Sequence, residues 1–580
     1  MSWRAKSYEV LPALSVRGDE LRKCLRIATV SWMYGSAWAV LISGVQLKAF
    51  ARILGFTDFD LGLLAAAPPI ASVGMIVAAL WIERSGLRKH QFLQCGMIHR
   101  LLWLAIAIIP LVLVVPSRSA VWVMLGVYTL SWLMHSLANP AWMTWMGDLV
   151  PKRVRGRYFA ARFGFGRIIQ VVLVVSIGLL LDYVTVPDQS GRETFATQPQ
   201  LLYVICGIFS VAAVIGATEI IMYRKVREII PPKHEDSPPA EGRFVAPPYR
   251  PLEQPQGRGL AQRLAQAPLN VAHRLSHLLA AGRGLADYVL LGPLKNAMFR
   301  RYVAFGITIG FATSVTGFFF WVYTTETLGF SKLATQILYM VISPILGMIG
   351  LQVWGRLLDR WGRRPVLMAG TFMTVFSITP YFFTMPGTPW PAFITTAANA
   401  VAGWVGPLLG KTGWVWITPD MPVGAYLLVA CSTMFGGIGW TGVMMGQNNV
   451  MLTLSDTPGR SRIVAAAGVL VGLGSIFGAP VGGALVALID HTWGHVDPAT
   501  LAMVQPVLHV GPFAWYSYHA TFALSGLARI AALLWLIGMP DPGSGTVRAM
   551  MRSVGLIAYS NASSWFLYPF RVLIKRNDNK

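Results

Sequence analysis

Ionisable and amide side chains set deep in apolar runs are the residues of this chain that can do chemistry, because hydrocarbon penalises them unless they pair or work. Arg167 stands ten residues beyond Arg157, about 15 Å further along a helix. There it can bind an anionic group, form a structural ion pair or snorkel to the interface. His135 can relay a proton, although a lone helix histidine is more often a packing residue. Motifs of soluble enzymes fail. Gly406-Pro407-Leu408-Leu409-Gly410-Lys411-Thr412 imitates a phosphate loop, but its glycines are one residue too close and no strand precedes it. HExxH, paired-Cys and nucleophile-elbow patterns are missing from the sequence. A membrane-embedded enzyme needs ionisable residues gathered near one face, and the dense clusters are charged loops instead. Gly355-Arg356-Leu357-Leu358-Asp359-Arg360-Trp361-Gly362-Arg363-Arg364 is the densest. A charge at the bilayer centre costs roughly 2.5–3.5 kcal/mol on insertion scales, so this knot must be a tight loop at a membrane face.

The elements around these residues read as membrane spans. With 54% hydrophobic and only 13% charged residues, the chain is too apolar for a water-soluble protein. Cys24, Cys95, Cys206 and Cys431 stand far apart, so neither a disulfide framework nor a zinc spacing is expected. Residues 1–26 are polar and basic, with no cleavable signal pattern. Runs long enough to cross a bilayer, about 20 residues each, fall at 27–50, 59–82, 91–115, 119–147, 160–182 and 200–222. A second set falls at 302–325, 333–356, 365–385, 423–451, 463–489 and 514–538. Between the sets, residues 223–301 are rich in proline and charge, which marks a linker. The expected organisation is a segment 1–26, a bundle 27–222, the linker 223–301, a bundle 302–538 with an enlarged external loop 386–422, and a tail 539–580 carrying an interfacial helix.

Placing both termini in the cytoplasm puts 39 of the 48 Lys and Arg residues on the inner side and six outside. This accounts for the net charge of +23 without nucleic acid. The two sets also look like copies. Glu83-Arg84-Ser85-Gly86-Leu87-Arg88 aligns with Asp359-Arg360-Trp361-Gly362-Arg363-Arg364, and Asp148 and Arg157 are answered by Asp456 and Arg462. Within 386–422, Ala392 to Leu409 is apolar, but parity argues against a thirteenth span.

The Gly355–Arg364 stretch, with an acid four residues after the glycine and then Arg-x-Gly-Arg-Arg, resembles the signature loop of the major facilitator superfamily. That resemblance implies an all-α membrane protein of 12 transmembrane helices in two pseudo-symmetric six-helix bundles. Implied too are transport of a small solute by alternating access, no enzymatic activity and no cofactor. Gly355, Asp359, Arg360, Gly362, Arg363 and Arg364, with Glu83, Arg84, Gly86, Arg88, Asp148, Arg157, Asp456 and Arg462, would then form a cytoplasmic gate; the plainer alternative is that they only set topology. The first copy departs from the family pattern at Ala79, Glu83 and Leu87, so the second copy is expected to carry more of the gating. In such a fold spans 1, 4, 7 and 10 line the cavity, helped by 2, 5, 8 and 11. The expected substrate residues are therefore Tyr34, Trp38, His135, Asn139, Arg167, Gln170, Thr316, Trp321, Gln336, Tyr339, Gln447 and Asn448. Arg100, His99, Glu219 and Arg529 sit on supporting spans, where structural pairing is expected. Gly474, Gly478, Gly482 and Gly483 are expected to serve close helix packing. No acid lies midway along spans 1, 4, 7 or 10, so no coupling site is named. Partners are a small-molecule substrate, a coupling ion if there is one, and the bilayer; the chain is expected to be a monomer in the cell membrane. A non-transporting receptor that recruits partners through the linker and tail is the alternative.

Overall fold

The computed structural model describes residues 18–85, 88–151, 154–185, 199–228, 291–386, 388, 392–405, 407, 423–454, 460–493, 506–511, 513–541 and 544–552. Most of the linker, most of 406–422, Asp456 and the tail beyond Arg552 lie outside them.

The chain is built of long helices: α1 (Asp19–Leu41), α2 (Val45–Leu54), α3 (Asp58–Ala71), α4 (Gly74–Ser85), α5 (Arg88–Val112), α6 (Arg118–Leu149), α7 (Arg155–Val184) and α8 (Pro199–Tyr223). After the linker come α9 (Ala297–Thr327), α10 (Lys332–Trp361) and α11 (Arg363–Phe383). Then follow α12 (Ala392–Val405), α13 (Val423–Leu454), α14 (Arg460–Trp493) and α15 (Ser517–Ile537). Ten of these helices are long and apolar enough to cross a membrane, or eleven if α1 and α2, bent by 43°, form one span. The second expected span appears as α3 and α4, parted at Ser72 and Val73 just after Pro68 and Pro69; a proline removes a helix hydrogen bond and distorts the turn before it. These elements are consistent with twelve crossings. An antiparallel ribbon, Leu508–Val510 with Phe513–Trp515, precedes α15.

Local chemistry explains the ends. Thr57 caps α3: its hydroxyl accepts from the Asp60 amide (3.3 Å), while the Asp60 carboxylate accepts from the Thr57 amide (2.9 Å). The α1–α2 bend turns at Gly44, whose φ of 85° a side-chain-bearing residue rarely adopts.

The helices before the linker pack mainly with one another, α5 on α6 and α8 and α1 on α8 and α7; those after it do the same, α9 on α14 and α15 and α13 on α11 and α10. The most extensive contacts between the halves are α3 with α14 and α7 with the start of α10, and smaller ones join α2 and α3 to α9 and α2 to α10. Small residues permit both the internal and the crossing contacts. Gly474, Gly478 and Gly482 of α14 abut Ile307, Phe311 and Val315 of α9, while Gly483 meets Asp58 and Phe59 of α3. Across the second pair, a Cβ on Gly178 would lie 2.8 Å from Leu333.

The first helix starts at Asp19, ahead of the apolar run that begins near residue 27. At Gly355 a Cβ would meet only Met445, at 3.8 Å. The close approach between α10 and α13 occurs at Gly347 and Gly437 instead.

Candidate functional site at the interface of the two halves

One end of the bundle carries the turns after α4 and α10; we call it the loop end. At Gly362, with φ of 87°, α10 stops and α11 begins. The first amides of α11 are caught by a residue that sequence reasoning missed. Asp541, 1% exposed at its side chain, accepts from the backbone amides of Arg363 (3.2 Å) and Arg364 (3.1 Å), and its other oxygen lies 3.1 Å from the Arg363 guanidinium. Arg363 also reaches the Thr453 hydroxyl and Arg364 the carbonyl of Ile537. Asp359 and Arg360 are exposed, and the Arg360 guanidinium lies over the Trp361 ring.

The first copy has the same construction. Glu228, just beyond α8, accepts from the Lys89 amide at 2.9 Å, and the Lys89 ammonium donates to the carbonyls of Arg224 and Val226. Arg88 pairs with Asp148 at 2.6 Å. In each half, then, an acid following the last helix satisfies orphan amides at the start of the third, where a carboxylate also meets the helix dipole favourably. The signal was present: an acid stands within five residues of Tyr223 and of Ile537. Gly86 and Asp456 lie outside the described residues, as do the side chains of Glu83, Arg84, Arg157 and Arg462.

At the far end the halves are tied together. Arg52 on α2 donates from Nε to Glu326 Oε1 of α9 (2.8 Å) and from Nη2 to Asp58 of α3 (2.6 Å). Asp182, near the end of α7, accepts from the amides of Lys332 (2.7 Å) and Leu333 (3.1 Å) that open α10, and the Lys332 ammonium donates to the Thr185 hydroxyl (2.6 Å). Tyr518 donates to Asp58 at 3.5 Å and Gln336 to Gln46 at 3.3 Å. Every hydrogen bond between the halves recorded among the described residues belongs to this end or to the Gln46–Gln336 level just beneath it.

The expected substrate residues are distributed unevenly. Trp38 is 6% exposed and packed inside the first half, under the Arg100 guanidinium (3.5 Å) and against His99 (5.0 Å). His135, half-buried, lies against His99 and Trp132. Arg100 and Glu219 form a buried pair at 2.6 Å, and Arg529 donates to the Thr374 carbonyl, which is structural pairing. Thr316 is buried and bonded to its own helix. Tyr34 is 39% exposed, Asn448 is exposed, and Asn139, Arg167, Gln170 and Gln447 are half-buried with no hydrogen bond recorded among the described residues. Trp321, Gln336 and Tyr339 do come together, and Lys48 and Gln46 join them from the first half. The Lys48 ammonium sits 4.1 Å from the Trp321 ring centroid, and Trp321 lies 4.8 Å from Tyr339. In the sequence Lys48 is one of the six outer basic residues, and nothing local marks it as a site residue; the bend at Gly44 brings it to Trp321. A separate apolar cavity of about 700 Å³, lined by Trp81, Ile98, Met134, Leu137 and Arg224 among others, touches none of the expected substrate residues.

The Major Facilitator Superfamily model matches residues 27–412. Comparison with curated proteins finds no match. Among solved structures, the nucleoside transporter NupG aligns with a TM-score of 0.51 at 12% identity, covering 90% of this chain and 99% of that one. XylE from E. coli, in a partially occluded inward open conformation, aligns at 0.51 and 12%, covering 91% and 100%. An auto inhibited POT family peptide transporter aligns at 0.51 and 13%, covering 90% and 99%. At such identities the likeness is one of fold, and together with the matched family model over most of the spans it leads to one conclusion: the chain belongs to the Major Facilitator Superfamily and is a multi-pass membrane transporter of that type.

Proposed function

We propose that the protein moves a small solute by alternating access, and that its structure is the state closed at the far end and open at the loop end. The observation that carries this reading is the one-sided distribution of polar contacts between the halves. Arg52–Glu326, Asp182–Lys332 and Tyr518–Asp58 all close the far end, whereas the bonds recorded for Arg88, Lys89, Arg363 and Arg364 at the loop end stay within one half. The excess of basic residues at the loop end supports placing it in the cytoplasm, with both termini there and the protein in the cell membrane. Asp359, exposed in this state, is the group that completes the loop-end gate when the halves rock together. The protein performs no catalysis in this reading; its cavity binds a solute and, where transport is driven, a coupling ion.

Solute flux into proteoliposomes tests the reading together with a reversible lock. The Gly178→Cys/Leu333→Cys pair at this end, where a Cβ on Gly178 would stand 3.2 Å from the Leu333 Cβ, is within disulfide reach; oxidised, it should stop flux, and reduction should restore it. Undiminished flux with the disulfide formed would overturn the assignment of this end as a moving gate.

A further inference from the structure

At the roof of the interface lies a cation with no acid. Lys48 is half-buried on α2; its ammonium donates to the Gly44 carbonyl at 3.1 Å and otherwise faces the rings of Phe318 (4.8 Å) and Trp321 (4.1 Å) across the junction. Among the described residues no carboxylate lies within ion-pair distance of it, since Glu326, one element away, is engaged by Arg52. Aromatic faces return only part of what an ammonium loses on leaving water.

Next to it is an acceptor with no donor. Gln46 spends its amide nitrogen on the carbonyls of Val40 (2.6 Å) and Leu41 (3.3 Å), so its oxygen faces Gln336. Gln336 must therefore turn its own nitrogen toward Gln46, at 3.3 Å, and this fixes its orientation through the network. Its Oε1 is left buried and without a partner. A Cβ at Gly44 would lie 3.1 Å from Gln46 Oε1, 3.2 Å from Met340 Sδ and 3.7 Å from Gln336 Oε1, so the bend, both amides and Lys48 converge on one spot.

Resting on the transporter reading, we infer that this cluster is the head-group subsite for a small organic acid that also carries a hydroxyl or amino donor on a flat apolar body. The ligand carboxylate answers Lys48, its donor answers Gln336 Oε1, and its apolar body lies on Trp321 and Tyr339. A neutral solute would leave the ammonium uncompensated, and a cation would be repelled. Because Lys48 and Gln46 come from the first half and Trp321, Gln336 and Tyr339 from the second, an occupant bridges the halves, and its differential contacts can bias their equilibrium.

The test is a thermal-shift and tryptophan-fluorescence titration of the full-length protein in nanodiscs. The probes are mandelate, phenylacetate, which lacks the hydroxyl, and 1-phenyl-1,2-ethanediol, which lacks the carboxylate. Mandelate should bind, phenylacetate about tenfold more weakly for the lost hydrogen bond, and the diol not at all. Lys48→Met should abolish mandelate binding while Lys48→Arg retains part of it, and Gln336→Leu should erase the preference for mandelate over phenylacetate. No response of the folded wild-type protein to mandelate, phenyllactate or phenylalanine would overturn the inference, as would equal binding by Lys48→Met. If the disulfide lock described above still controls flux of another solute, the transporter reading stands and only the ligand class falls.

Discussion

Arg52 grips Glu326 across the junction of the halves through two hydrogen bonds, of 2.8 and 3.1 Å, while holding Asp58 of its own half at 2.6 Å. The arginine side chain is 14% exposed and that of Glu326 39%, so the pair is neither a solvated surface contact nor a fully desolvated one. We expect Glu326→Gln to weaken the far-end closure by about 1 kcal/mol, within the range for part-exposed pairs, or roughly a fivefold shift toward the opposite state. The labelling rate of a cysteine at the far end, compared between the two backgrounds, measures it.

Asp182 closes the same end by other means. From the other half it accepts the first two amides of α10, acting as a second cap beside the helix's own N-cap, Ser331. Asp182→Ala should cost about 1 kcal/mol, the usual worth of such a cap, and should raise far-end labelling as Glu326→Gln does. Unlike a surface pair, the contact should resist salt, because two of its bonds go to backbone amides.

Asp541 and Asp359 should behave in opposite ways. Asp541→Ala leaves the amides of Arg363 and Arg364 and the Arg363 guanidinium without their common partner, so we expect a loss of about 1–3 kcal/mol in stability and a lower melting temperature. Asp359 is exposed with no such role in this state; Asp359→Asn should leave melting unchanged but slow transport, and more so than Glu83→Gln. Equal melting of the Asp541→Ala protein and the parent would refute the clamp.

The Arg100–Glu219 pair lies buried against the Trp38 ring. Glu219→Gln strands the guanidinium, at a cost of about 3–5 kcal/mol, and should lower expression of folded protein sharply. Adding Arg100→Met should recover much of the loss, since two neutral groups replace one unpaired charge.

Legibility followed the range of the physics. Hydropathy is local, so apolar runs could be read as membrane helices, and the family from Asp359 and the Arg363-Arg364 pair, without a structure. Close helix packing at Gly474 to Gly483 was also readable, because small residues at helical spacing have few other uses in a membrane; that it serves two neighbours, α9 and α3, was not. The caps were harder. Glu228 and Asp541 look like ordinary loop acids until the third helix of each half is seen to begin beside them.

The amino-acid order by itself determined which segments leave water and which face each presents, because apolar burial and charge exclusion act residue by residue. Only the tertiary structure decided which polar groups meet. Lys48 meets Trp321 across 273 positions of sequence through a bend at Gly44 and a junction between halves, while Trp38, on the same first span, turns inward against Arg100. Hydrophobic periodicity cannot separate those two fates, since a helix face toward a cavity and one toward a neighbouring helix are both withdrawn from lipid. What separates them is the contact made by the partner helix.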